Sequence, residues 1–127
     1  MSTTLFAVPF DAHEAKAIAT FWAEALGRTV ADGATEASAT VAPDPAAPGL
    51  PIGFRQVPED KTVKNRMHFD LVAGNFDAEV TRLNGLARPG VPAGQLRRHD
   101  PHRFDRQHHH AWPVTSFVDR QPFGCLN

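Results

Sequence analysis

The chain has 127 residues, of which 14 are acidic, 13 basic and one is cysteine, giving a formal net charge of −1. That length supports one domain with its own core, and the charge balance gives no reason to expect nucleic acid or a membrane surface as partner. A lone Cys125 excludes an internal disulfide, and the absence of a long apolar run or a basic-then-apolar start fits a soluble, cytoplasmic protein.

In chain order, Leu5 to Phe10 (LFAVPF) is a short apolar run whose proline suits an edge strand. Asp11 ends it and is placed to cap a helix over 13–26, where Ile18, Phe21, Trp22, Ala25 and Leu26 share one stripe. Gly27 stands where a C-terminal glycine belongs. Residues 28–32, 36–42 and 50–57 read as three short strands, separated by Asp32-Gly33 and by the Pro/Gly-rich APDPAAPG. Polar 58–65 forms a linker.

A strand period then passes into a helix period. In 66–73, Met67, Phe69, Leu71 and Ala73 alternate with Arg66, His68, Asp70 and Val72, the pattern of a strand with one face on a core. Asn75 caps a helix over 75–86, with Asp77 and Glu79 in its first turn and Val80, Leu83 and Leu86 on one stripe. The two helix ends, Leu26 and Leu86, are 60 residues apart. The chain therefore spells a βαβββ unit twice within one α+β domain: module one at 4–57, linker at 58–65, module two at 66–127.

Beyond Ala87 the pattern weakens. Residues 87–112 sustain neither period, and only 114–118 and 122–126 read as strands again. Residues 1–60 hold eight acidic against three basic residues, 61–127 six against ten, and neither Glu nor Lys occurs after Glu79. A shifted reading frame of GC-rich DNA produces such a change, and would leave the second module incomplete; a native divergent segment is the other origin.

Several residues are candidates for chemistry. His68 and Asp70 share the strand face away from Met67, either inside a cavity, with His68 as ligand or proton acceptor, or on an outer face pairing with Arg66. Gln56 shares a face with Phe54 and Ile52, an apolar wall with one amide. Phe6, Val8 and Phe10 alternate along the first strand as cavity lining or plain core. Lys61, Lys64 and Arg66 form a basic cluster, suited to an anion or to a solvated linker. Five of the seven histidines lie between 99 and 110, where flexible imidazoles chelate nickel or zinc in vitro without an evolved site.

With FWAEALGRTV, LPIGFRQVPEDKTVKNRMHFDL and FDAEVTRLNGL, this order of elements resembles the vicinal oxygen chelate superfamily of glyoxalases, bleomycin-resistance proteins and extradiol dioxygenases. It looks most like the small glyoxalase-like proteins of high-GC bacteria, over residues 4–86. The resemblance implies two βαβββ modules in an open, cupped mixed sheet with helices on the outer face, often a homodimer, with a ligand or metal in the cup. Metal-dependent members ligate from the first and last strands of each module. Those positions fall near Thr4, on Gln56, on His68, and in VDRQPFGCLN near Cys125, where the family's D-P-x-G-N turn is missing. This set falls short of the three or four ligands of a transition-metal site.

The resemblance thus implies a protein that binds a small molecule in its cup without tightly bound metal. Gln56, Phe54, Phe6, Val8 and Arg66 would contact the ligand, and His68 and Asp70 would carry any chemistry. The alternative is a divalent-metal-dependent lyase, isomerase or dioxygenase using His68, with Gln56 as a further ligand.

Overall fold

In the computed structural model the described residues are 2–47, 49–60, 62, 69–86, 95–98 and 114–118. The first strand, β1 (Val8–Ala12), begins later than the apolar run suggests and continues through Asp11, whose register partner is Arg55. Asp11 is therefore a strand residue and not a helix cap. The helix that follows, α1 (Ala15–Leu26), has Glu14 at its N-cap position with no side-chain cap bond. Its end matches the expectation: Gly27 sits at φ 63°, ψ 32°, a left-handed conformation in which any Cβ is strained.

β1, β2 (Ser38–Val41) and β3 (Ile52–Gln56) form one sheet in the order β1-β3-β2, with β1 parallel and β2 antiparallel to β3. Pro9 lies on the edge strand, where a missing N–H costs no ladder bond. The strand expected at 28–32 is reduced to one bridge, Val30 to Val41, flanked by Ala31 N–H to Thr40 O and Ala42 N–H to Thr29 O, both 2.8 Å. Gly33 then turns the chain at φ 84°.

Strand alternation divides this sheet sharply. Phe10, Ala12, Ala39, Val41, Ile52 and Phe54 are buried, and they share a core with Ile18, Ala19, Phe21 and Trp22 of α1. Phe10 stacks on Phe54 with centroids 6.0 Å apart, and Phe69 meets Phe10 and Trp22 edge to face at 5.3 and 4.9 Å. Burying rings of this size contributes on the order of 2–3 kcal/mol each, which makes these contacts the principal stabilisation of the fold.

Phe69 opens β4 (Phe69–Val72), which is followed by α2 (Phe76–Gly85). As expected, Asn75 caps α2: its Oδ1 accepts from Ala78 N–H at 3.1 Å. Leu83 enters the shared core. Arg82 reaches the C-terminal end of α1, where its guanidinium donates to Glu24 O at 3.2 Å and Ala25 O at 2.7 Å. That places a cation against the negative end of the helix dipole. Glu79 fixes the guanidinium by accepting from its Nε at 3.0 Å and from Nη2. These hydrogen bonds lower the Glu79 carboxyl below its ordinary range, against the opposing effect of burial. They raise the Arg82 guanidinium above its own.

β5 (Gln95–Arg98) and β6 (Val114–Val118) complete a second sheet, ordered β4-β6-β5 and antiparallel throughout. β6 falls where the sequence predicts; β5 lies in the stretch expected to hold no strand. In the first sheet the first and last strands pair in parallel, whereas β4 pairs with β6 antiparallel. The strand expected at 122–126 lies outside the described residues, as do residues 66–68 of the strand expected to start at Arg66. No helix among the described residues is long and apolar enough to cross a membrane.

Candidate functional site

Among the described residues, α1 takes one face of the first sheet and leaves the other without a helix. Alternation puts Pro9 and Asp11 of β1, Gly53 and Arg55 of β3, and Ser38 and Thr40 of β2 on that side. Their exposure agrees: Pro9, Asp11, Ser38 and Arg55 are exposed, Thr40 and Gly53 half-buried. Asp11 and Arg55 are register partners on parallel strands, as are Pro9 and Gly53. Among the described residues, neither the Asp11 carboxylate nor the Arg55 guanidinium makes a hydrogen bond or ion pair.

The residues singled out in the first module are distributed differently. Phe54 has no exposed surface, and it lies in the core under α1. Val8 is half-buried and packs against the same core. Phe6 precedes β1 and is 84% exposed, so the alternation expected to include it begins only at Val8. Gln56, at the end of β3, is exposed, and its amide nitrogen donates to His13 O at 2.7 Å, which ties the start of α1 to the end of β3. The structure thus does not gather Phe6, Val8, Phe54 and Gln56 around one cavity. At the same end, His13 Nε2 lies 3.1 Å from Asp60 Oδ1.

Asp70 belongs to β4, with Ser116 as its register partner. His68, Arg66, Lys61, Lys64, Cys125 and the histidines at 99–110 lie outside the described residues. Of the four positions that correspond to family metal ligands, Thr4 and Gln56 are described. They offer an exposed hydroxyl and a neutral amide already engaged through its nitrogen, both weak donors for a divalent transition metal. Among the described residues, no three His, Cys, Asp or Glu side chains gather as a metal site.

The face bearing Asp11, Gly53 and Arg55 was not singled out by motif, although its signal was present. Ile52 and Phe54, which the sequence suggests as the wall of a pocket, are buried against α1, and Gly53 and Arg55 alternate with them on the other face.

The succession β1, α1, a bridged segment, β2 and β3, with the last strand returning parallel to the first, is one βαβββ unit. The model of one protein family, described as a glyoxalase-like domain, matches residues 7–111. The chain belongs to the glyoxalase-like domain family. It is thereby a member of the vicinal oxygen chelate superfamily. The match extends past Leu86, beyond the motifs that carry the resemblance. No curated protein and no solved structure matches this glyoxalase-like chain significantly.

Proposed function

We propose that this glyoxalase-like domain binds a small molecule on the face of its sheet turned away from α1, without a tightly held metal ion. One observation carries the reading: α1 covers the apolar face of the first sheet, while the opposite face presents Asp11 and Arg55 uncommitted among the described residues. Polar groups beside an apolar Pro9 are what a small-molecule site requires.

In this reading the second half completes a cup, with β4 antiparallel to β6 where β1 is parallel to β3, and two copies associate as a homodimer. Phe69 packs in the core, so alternation supports assigning His68 and Asp70 to the ligand side. His68 then accepts a proton or hydrogen bond from the ligand, Asp70 fixes its environment, and Arg66 meets an anionic group.

The test is a thermal-shift screen of the untagged full-length protein against small organic acids, amines and aromatic compounds, with elemental analysis of the same preparation. The expected result is a saturable rise in Tm that persists in EDTA, with metal far below stoichiometric. No saturable shift with any class would end the reading. Near-stoichiometric metal, with binding abolished by chelation, would replace it with the divalent-metal-dependent enzyme that uses His68.

A further inference from the structure

Gly53 occupies the middle of β3, the central strand of the first sheet, where glycine weakens a strand by leaving nothing to pack and by its large entropy loss on folding. Among the described residues, none of the usual structural reasons for such a glycine applies. Register is continuous on both sides, so there is no bulge. Its φ is not positive. Among the described residues, a Cβ built there would meet only Pro9, at 3.7 and 3.8 Å, which is ordinary contact. The fold therefore accommodates a side chain at 53, and its absence leaves a notch on the open face between Pro9 and Thr40, which flank Gly53 in register. Two residues along, Asp11 and Arg55 stand side by side with neither bonded to the other.

We infer that the notch over Gly53 is the ligand seat and that it takes a small planar acid bearing a hydrogen-bond donor. This deepens the function proposed above and rests on it. The flanking rows are two strand spacings apart, roughly 9–10 Å, so a flat ring fits between the Pro9 ring and the Thr40 side chain over bare backbone. A carboxylate at the ring's end pairs with the Arg55 guanidinium, whose planar fork matches it. A hydroxyl or amino group on the same ring donates to Asp11. A ligand with both groups satisfies two opposite charges that the protein leaves apart; a ligand with one satisfies half.

The experiment uses the full chain, labelled with nitrogen-15, titrated with 3-hydroxybenzoate, benzoate and phenol. The expected result is that 3-hydroxybenzoate shifts the amides of residues 10–11 and 53–55, with benzoate and phenol each about tenfold weaker. Arg55→Gln and Asp11→Asn each lose about tenfold. Gly53→Ala separates seat from fold: its Tm is unchanged or a few degrees higher, because the backbone there suits alanine, while 3-hydroxybenzoate binding falls about tenfold. Equal binding of all three probes, shifts confined to residues elsewhere, or undiminished binding by Gly53→Ala would each overturn the seat while leaving small-molecule binding intact. If none of the three probes shifts any amide at millimolar concentration, the seat is overturned, and the thermal-shift screen decides separately whether another compound class binds.

Discussion

At the residue scale, one strand carries both a core anchor and a tether. Phe54, with no exposed surface and stacked on Phe10, is a packing residue, so Phe54→Ala is expected to cost about 3–5 kcal/mol through lost burial and the cavity left behind. Urea denaturation followed by circular dichroism measures this, and a loss under 1 kcal/mol would show the ring is not part of the core. Gln56 tests a different distinction. Its amide holds His13 O at 2.7 Å, so Gln56→Ala is expected to lose about 0.5–1.5 kcal/mol of stability and leave ligand affinity unchanged. The reverse pattern, intact stability with lost affinity, would make Gln56 a ligand-contact residue. The sequence places Gln56 on the same face as Phe54, which the register bears out; what it does not reveal is that α1 covers this face. That depends on which side of the sheet the helix packs, information carried by tertiary contact and absent from a period of two.

At the element scale, helices were more legible than strands because a stripe over three turns repeats its signal, whereas a strand of four or five residues shows it twice. Thus α1 and α2 fall close to their expected bounds, Gly27 and Asn75 included. The start of α1 differs from the expectation for a physical reason: an aspartate before a helix resembles a cap, but pairing with β3 holds Asp11 in the strand. β5 was invisible because QLRR has no apolar alternation and is defined by its pairing with β6. Between elements, the Glu79–Arg82 pair joins α2 to the end of α1. Arg82→Gln removes a cation from the end of α1 and is expected to destabilise by about 1–2 kcal/mol. Glu79 adds a pH dependence of definite sign. Its carboxyl is lowered in the folded state, so its contribution is present above the ordinary carboxylate range and is lost as pH falls through the depressed value. The pair is partly exposed, so its worth is about 0.2–1 kcal/mol. Melting curves of wild type and Glu79→Gln from pH 7 into acid check this: the two should converge as pH falls, and a gap that widens would contradict the assignment.

At the scale of the whole molecule, the two halves contribute unequally to what holds the chain together. Every buried hydrophobic residue among the described residues lies between Phe10 and Leu83, and the second half supplies Leu83, with Phe69, Leu71 and Leu86 packed against it, to a core built mainly by α1 and the first sheet. The βαβββ order of the first half was readable in advance. In the second half β4, α2 and β6 fall within the ranges the sequence predicts, whereas residues 87–112, where Arg, His and Pro accumulate, show no period from which β5 could be read. This asymmetry predicts how truncation behaves. A chain ending at Leu86 keeps all of those core residues and, among the described residues, loses β5 and β6, so it should still unfold cooperatively, with a lower Tm and smaller enthalpy than the full chain. A chain ending at Asp60 also loses Phe69 from its edge-to-face contacts with Trp22 and Phe10, and Leu83 from the core. That leaves apolar surface of α1 uncovered, at a cost of several kcal/mol against a total stability of about 5–15 kcal/mol. It should therefore melt without a cooperative transition. Calorimetry of the three lengths decides the matter: if the 86-residue chain has no transition, residues after Leu86 are essential to the core; if the 60-residue chain melts as sharply as the full protein, the contacts of Phe69 and Leu83 stabilise nothing.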